Sequence, residues 1–448
     1  MNEKLSTSNI ISLSLMLFAM FFGAGNMIFP PALAQLAGTN YLQGLAGFML
    51  TDIGISVLAI LAIVLAGSTL DDLAGRVSPR FSVFLTVIIY LLIGPLFALP
   101  RTGTVSFELA ILPFLPKLES THIFISILFT FIFFAVTYIL ALNPHKVVDI
   151  VGKLLTPFLL ISIAIIFVGS LIHPIGAIGI PTGDYATVPL FKGMIEGYLA
   201  LDGLAALVFA IIVINSIKDK GITHKKNIVK YTLMTGIFAA IALTIVYIAL
   251  GYIGASSASL GTFENGGQLL SAVTHLLFGK SGNIILGLAV LMACLTTSIG
   301  LVSSFGDYFH KLFPNYSYAQ ITLVVCIFSF AISNIGLTQL IKVTLPILMM
   351  VYPVAVVLIV VSFFDKWFQG KSEVYALGML FSFVVGAISG LENAGIVLGQ
   401  ITLWAHSIPL YELGIGWVLP GALGCLLGAL PFVKIPGCVT TAQCPNIE

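Results

Sequence analysis

Arg101 and Glu108 stand seven residues apart in the apolar stretch GPLFALPRTGTVSFE, nearly on one helical face. An embedded charge costs about 2.5–3.5 kcal/mol on insertion scales, so it normally faces a cavity or a partner. Arg101 is suited to stabilise an acid, close a gate or attract a carboxylate. Glu108 is suited to carry a proton, and a structural ion pair between the two is the competing reading.

Asn26 and Asp202 pose a sharper question. Asn26 lies in FFGAGNMIFPP, residues 21–31, and Asp202 in EGYLALDGLAA, Glu196 to Ala206; each is set among small residues inside an apolar run. A helix broken at membrane depth leaves backbone N–H and C=O groups unpaired, at several kcal/mol each. Such breaks are found where the freed backbone binds cargo. Gly23, Gly25 and Asn26 in the first break and Tyr198, Asp202 and Gly203 in the second are therefore candidates for one binding site. The plainer reading is that glycines allow close helix packing, but it leaves Asn26 and Asp202 without partners. Half-helix N-termini suit a carboxylate, and the carbonyls at a half-helix C-terminus suit a small cation. The pair of breaks thus fits a zwitterion taken up with an ion, such as an amino acid with sodium.

A third constellation is LMACLTTSIGLVSS, residues 291–304, where Ala293, Thr296 and Thr297 fall at i, i+3 and i+4. One helical face then carries a carbonyl and two hydroxyls, hard donors for a hard cation. The competing reading is that each hydroxyl bonds back to its own i−4 carbonyl.

The elements that must position these residues are membrane helices. The chain has 448 residues, 59% hydrophobic and 8% charged, against about 25% charged in a soluble domain. Apolar runs of about 20 residues lie at 10–37, 43–67, 80–112, 122–142, 147–172, 192–217, 229–254, 282–311, 318–335, 337–363, 374–391 and 412–432. The expectation is an all-α polytopic membrane protein with about twelve spans. With the N-terminus inside, Lys4, Arg76, Arg80, Lys146, Lys153, Lys218, Lys220, Lys225, Lys226, Lys230, Lys311, Lys366, Lys371 and Lys434 fall on the cytoplasmic side, and only Lys117, Lys192 and Lys280 outside. Both termini are then cytoplasmic, in a cell membrane. Asp52, Asp307 and Lys342 fall near predicted span ends, where snorkelling or loop placement explains them. The stretches 173–191, 255–281 and 392–411 read as external loops with room for short surface helices. Breaks in the first and sixth spans, five apart, suggest inverted five-helix repeats over 10–172 and 192–363, with two added helices in 374–432, in a single transport domain.

Other chemistry finds little support. The net charge of +1 provides no nucleic-acid face. SAVTHLLFGKSG carries Thr274 where a phosphate loop needs its first glycine. Neither H-E-x-x-H nor G-x-S-x-G occurs, and Cys294, Cys326, Cys425, Cys438 and Cys444 form no C-x-x-C. Cys438 and Cys444 read as ordinary tail cysteines. Ala32-Leu33-Ala34 mimics a cleavage site behind too long an apolar stretch, so the first segment reads as retained. No enzyme and no cofactor are expected.

With FFGAGNMIFPP, GPLFALPRTGTVSFE, GYLALDGLAALVF and SNIGLTQLI (333–341), the sequence resembles the bacterial branched-chain amino acid:cation symporters of the amino acid, polyamine and organocation superfamily. The resemblance implies the leucine-transporter fold, ten core helices in two inverted repeats plus two more. The first-helix G-x-G-N break and eighth-helix A-x-x-[ST]-[ST] signature of sodium-coupled neurotransmitter transporters are also similar to Gly23–Asn26 and to Ala293, Thr296 and Thr297. That similarity implies a sodium site from the carbonyls of Ala19, Phe22 and Ala293 with the hydroxyls of Thr296 and Thr297. It further implies that amides from Phe21 through Ala24 and Gly25 receive the substrate carboxylate, with Asn26 lining a first ion site or the pocket. The sixth helix departs from the neurotransmitter-transporter pattern, leaving Asp202 to bind the ammonium, an ion or a proton. The expected function is symport of leucine, isoleucine or valine with a cation, sodium, by alternating access. A proton-coupled or exchanging transporter of the same fold is the alternative, and an ion channel is less favoured.

Overall fold

A computed structural model describes residues 4–115, 119–142 and 156–431, with positions 433 and 435. Lys117, Lys146, Lys153, Lys434, Cys438, Cys444 and the start of the predicted run 147–172 lie outside the described residues. Every regular element among the described residues is helical, as expected where the solvent offers the backbone no hydrogen bonds.

The first broken rod is α1 (Thr7–Phe21) followed by α2 (Ala24–Ala37). Ser6 starts α1 by accepting from the Asn9 amide. After a turn at Gly38 (φ 50°) the chain runs through α3 (Tyr41–Met49), a π-turn at Leu50–Gly54 and α4 (Ile55–Ala66). The short α5 (Leu70–Ala74) has a Thr69/Asp72 capping box. α6 (Pro79–Leu91) passes through a second π-turn, Leu92–Leu96, into α7 (Ala98–Ala110). α8 (Glu119–Ala141) and α9 (Thr156–Ile172) follow.

The second broken rod is α10 (Pro189–Ala200) and α11 (Asp202–Lys218), bent by 46°. Then come α12 (Lys225–Ala255), α13 (Gly266–Leu312), α14 (Tyr318–Ser333), α15 (Leu337–Phe363), α16 (Ser372–Asn393), α17 (Gln400–His406) and α18 (Val418–Ala429). Among the described residues seven helices, or eight with the bent pair as one span, are long and apolar enough to cross a membrane. Four shorter apolar helices, α1, α9, α14 and α18, stand where other spans were expected.

One expectation needs correcting. Residues 266–281, read as part of an external loop with at most a short surface helix, form the first turns of α13, kinked at Gly279 (φ 60°), and pack inside the bundle. Leu269, Leu270 and Val273 bury there, and the polar residues around them masked that helical face.

α13 packs on α7 and α2, α12 on α2 and α1, and α11 on α4, so the two broken rods lie inside the bundle. Phe18, Phe22, Met27 and Phe209 are fully buried between them. α8 and α9 instead expose Ile123, Phe124, Phe131, Ile161 and Ile172, an apolar surface suited to lipid.

Candidate functional site

At the first break the backbone changes partners. An unbroken helix would pair the Gly23 N–H with the Ala19 carbonyl. Here Gly23 donates instead to Asn26 Oδ1 at 3.0 Å, which caps α2 and frees Ala19 O. Glycine is required for space rather than for φ: a Cβ on Gly23 would lie 2.9 Å from Thr297 Oγ1. A Cβ on Gly25 would lie 2.8 Å from Arg101 Nη2 and 3.1 Å from Ala200 Cα. The breaks approach each other closely because these two residues lack side chains.

The second break is built differently. Leu201, buried, takes a left-handed conformation (φ 73°, ψ 0°) between α10 and α11. A non-glycine residue there costs about 1–3 kcal/mol, sustained only where the surroundings enforce it. Arg101 supplies part of that enforcement: Nη1 donates to Leu199 O and Nη2 to Ala200 O, the latter at 3.0 Å. A cation at a helix C-terminus also meets the negative end of the dipole. The Phe29 ring lies under the guanidinium at 5.3 Å.

The two breaks flank a cavity, with ≈ 330 Å³ of space unfilled by atoms when the adjoining open solvent is included. Phe21, Gly23, Ala24, Gly25 and Asn26 line it from the first break, and Ala200, Leu201 and Asp202 from the second. Arg101, Thr102 and Thr297 add polar groups, and Met20, Phe209 and Leu301 an apolar wall. Asn26 also bridges the halves, donating from Nδ2 to Asp202 Oδ2 and to the Tyr247 hydroxyl, both at 2.5 Å.

A cluster of oxygens lies beside this cavity. Thr296 Oγ1 donates to Ala293 O at 2.8 Å and reaches Ala19 O at 3.5 Å. Thr297 Oγ1 is buried with no hydrogen-bond partner, whereas the back-bonding alternative would have paired it. A freed carbonyl and an unpartnered hydroxyl on facing helices make a donor set that fits a small hard cation. Phe22 lies at the same break, its ring stacked on Phe18 at 5.2 Å.

Other sequence candidates are placed elsewhere. Tyr198 stacks on Tyr352 at 4.3 Å, and Gly203 packs toward Ile55 and Tyr352; neither lines the cavity. Glu108 does not pair with Arg101. Its Oε2 accepts from Asn265 Nδ2 at 3.1 Å, at the start of α13. Asp307 and Lys342 are exposed, as expected of helix ends.

Asp52 overturns the snorkelling assignment. It sits fully buried in the Leu50–Gly54 π-turn, where Oδ2 accepts from the Tyr247 hydroxyl at 2.5 Å. The predicted span started at residue 43, which placed Asp52 near an end; the helix in fact begins at Tyr41 and continues through the π-turn. Tyr247 was missed because it reads as one more apolar residue in a long run. The signal available was the adjacent pair Thr51-Asp52 within that run.

A family model described as "Branched-chain amino acid transport protein" matches residues 6–434. The branched-chain amino acid permease BraB of Bacillus subtilis (strain 168) is 46% identical over 431 residues, covering 96% of both chains. The branched-chain amino acid transport system 2 carrier protein of Pseudomonas aeruginosa is 36% identical over 94% of this chain and 95% of its own. The permease BrnQ of Escherichia coli (strain K12) is 35% identical over 96% and 97%. Among solved structures, Mhp1, a nucleobase-cation-symport-1 family transporter with bromovinylhydantoin bound, superposes with a TM-score of 0.60 at 14% identity, over 96% of this chain and 97% of its own. MhsT in complex with L-phenylalanine gives 0.54 at 14%, over 93% and 98%. These two likenesses establish a shared fold, and the sequence matches establish kinship along nearly the whole chain: it belongs to the branched-chain amino acid transport protein family.

Proposed function

We propose that the protein is a secondary active symporter that takes up leucine, isoleucine or valine with sodium by alternating access. The observation that carries the ion assignment is the buried, unpartnered Thr297 hydroxyl on the helix facing the freed Ala19 carbonyl, beside the cavity that Asp202 and Asn26 line. In this reading sodium is cargo, held by oxygens of Ala19, Phe22, Ala293, Thr296 and Thr297. The α2 N-terminus receives the substrate carboxylate through the amides of Ala24 and Gly25, since those of Phe22 and Gly23 are already given to Phe18 O and Asn26 Oδ1. Asp202 meets the ammonium, and Met20, Phe209 and Leu301 the side chain. The names of the relatives supply the substrate class. Such a wall separates side chains by only about 1–3 kcal/mol per methylene, which fits a transporter of all three.

The same reading carries the topology: two inverted repeats over 10–172 and 192–363, two further helices in 374–432, and both termini on the cytoplasmic side, as the lysine and arginine bias favours.

The test is radiolabelled leucine uptake into proteoliposomes at fixed potential and pH, with and without an inward sodium gradient. Uptake stimulated by the gradient, and competed by isoleucine and valine but not lysine, is the expected outcome. Thr297→Ala removes one oxygen from the ion shell and should abolish the stimulation. Uptake indifferent to sodium and to this substitution would overturn the sodium assignment in favour of proton coupling or exchange.

A further inference from the structure

Behind the cavity, Asp52, Tyr247, Asn26 and Asp202 form a continuous buried chain whose hydrogens can be assigned one by one. The Tyr247 hydroxyl donates its one hydrogen to Asp52 Oδ2. Asn26 Nδ2 has two, given to Asp202 Oδ2 and the Tyr247 oxygen, while Asn26 Oδ1 accepts from the Gly23 amide. One atom is left over. Asp52 Oδ1 is buried with no donor, and the short bonds through Tyr247 and Asn26, each 2.5 Å, hold the Asp202 and Asp52 carboxyls close together in the same buried cluster. Two bare carboxylates held this near each other repel, and one proton shared between them turns the repulsion into a charge-assisted hydrogen bond.

The surroundings decide which oxygen carries that proton. Asp52 is wholly buried in the π-turn and away from the cavity. Asp202 lines the cavity and occupies the first position of α11, where the helix dipole favours negative charge. Arg101, Tyr247 and Tyr352 are the other ionisable groups facing the pair. Arg101 is the one cation among them, so one carboxylate and one guanidinium leave the buried site neutral.

We propose that Asp52 is a positioning residue acting as a neutral acid: its protonated Oδ1 donates to Asp202, holding that carboxylate charged and turned to the cavity for the substrate's ammonium. The inference rests on the amino acid reading of the cavity, and it adds a proton-holding site to it. Nothing in the proposal requires the proton to move during transport. Asp52 touches no substrate; it acts through Asp202.

A neutral donor and an anion are distinguished by substitution. Asp52→Asn keeps a donor of the same shape and removes the acid, whereas Asp52→Leu keeps the size and removes the donor. With the full-length protein in proteoliposomes and saturating sodium, equilibrium binding of radiolabelled leucine should stay within about threefold of wild type for Asp52→Asn and weaken about tenfold or more for Asp52→Leu, the scale of a lost hydrogen bond to a charged group. Asp52→Asn binding as weakly as Asp52→Leu, with both folded, would show that the negative charge is needed and would overturn the proposal. So would Asp52→Leu binding like wild type.

A second measurement needs no leucine and so separates failure of this inference from failure of the amino acid reading. The infrared difference between wild type and Asp52→Asn at neutral pH should contain a protonated-carboxyl C=O band. If Asp52→Asn does not fold, Tyr247→Phe, which frees Asp52 Oδ2 from its donor, should shift that band upward. Absence of the band, or no shift, would overturn the neutral acid even where leucine binds; the band without leucine binding would leave the acid standing and sink the substrate reading.

Discussion

The two helix breaks face the same cavity and solve opposite problems. At Phe22–Gly23 the chain frees a carbonyl: Asn26 takes the Gly23 amide, and Ala19 O is left toward Thr296 and Thr297. At Leu201 the chain closes its carbonyls, because the Arg101 fork covers Leu199 and Ala200. One break is permissive and built on glycine; the other is strained, built on a buried leucine and braced by a guanidinium. The contrast teaches why the proposed cation is assigned to the first break. The second already has one, covalently attached to α7.

Removing the brace should have the largest effect. Arg101→Met leaves two buried carbonyls without donors, at about 1–3 kcal/mol each, so leucine uptake should vanish and thermal unfolding in detergent should show a loss of about 2–5 kcal/mol. Stability equal to wild type would mean that the second break holds itself. Next comes Gly25→Ala, whose Cβ would press on both Arg101 and Ala200; overpacking of about 1–3 kcal/mol should lower uptake about tenfold. Gly23→Ala separates the breaks more finely. Its Cβ would meet Thr297 Oγ1, so it should raise the sodium concentration required for half-maximal uptake several-fold more than it changes the maximal rate; the reverse pattern would dissolve the division between the breaks.

The smallest effect lies far from both breaks. His406 sits between Glu392 and Glu412, with ring nitrogens at 2.8 and 2.5 Å from their carboxylates, and hydrogen bonds to Glu412 and then Glu392 raise its pKa above the ordinary imidazole value. A group whose folded pKa is raised stabilises the protein below its unfolded value and loses that contribution as pH rises through the folded one. The melting temperature should therefore fall slightly across that window, and His406→Gln should flatten the slope while leaving uptake at either break unchanged. The ring is solvent-exposed, so screening keeps the effect small.

Much of the architecture was legible because bilayer physics writes it in long apolar runs, and both breaks were legible because Asn26 and Asp202 interrupt them. Spacing from Ala293 singled out Thr296 and Thr297, of which Thr297 lines the cavity. The partners of Arg101 could not: carbonyls of Leu199 and Ala200 are present at every residue, and only the fold selects which two lie uncapped. Asp52 escaped because it was counted toward one end of the run 43–67, whereas the fold buries it in the π-turn against Tyr247. Tyr247 escaped because a ring that buries well conceals a hydroxyl that must be paired. The candidates Tyr198 and Gly203 lie at the right break but turn toward Tyr352, a direction that helical phase across a left-handed residue does not predict.

Leu201 has one more consequence, and it is kinematic. The Arg101 fork ties the end of α10 to α7, and Asn26 ties α2 to the beginning of α11. A single residue joins α10 to α11, so the bend between these two helices is set by one pair of torsion angles. Returning Leu201 to right-handed values would straighten the 46° bend and align α10 with α11 into one axle. The second break thus stores its bend in the torsions of one residue, which the Arg101 fork helps to hold.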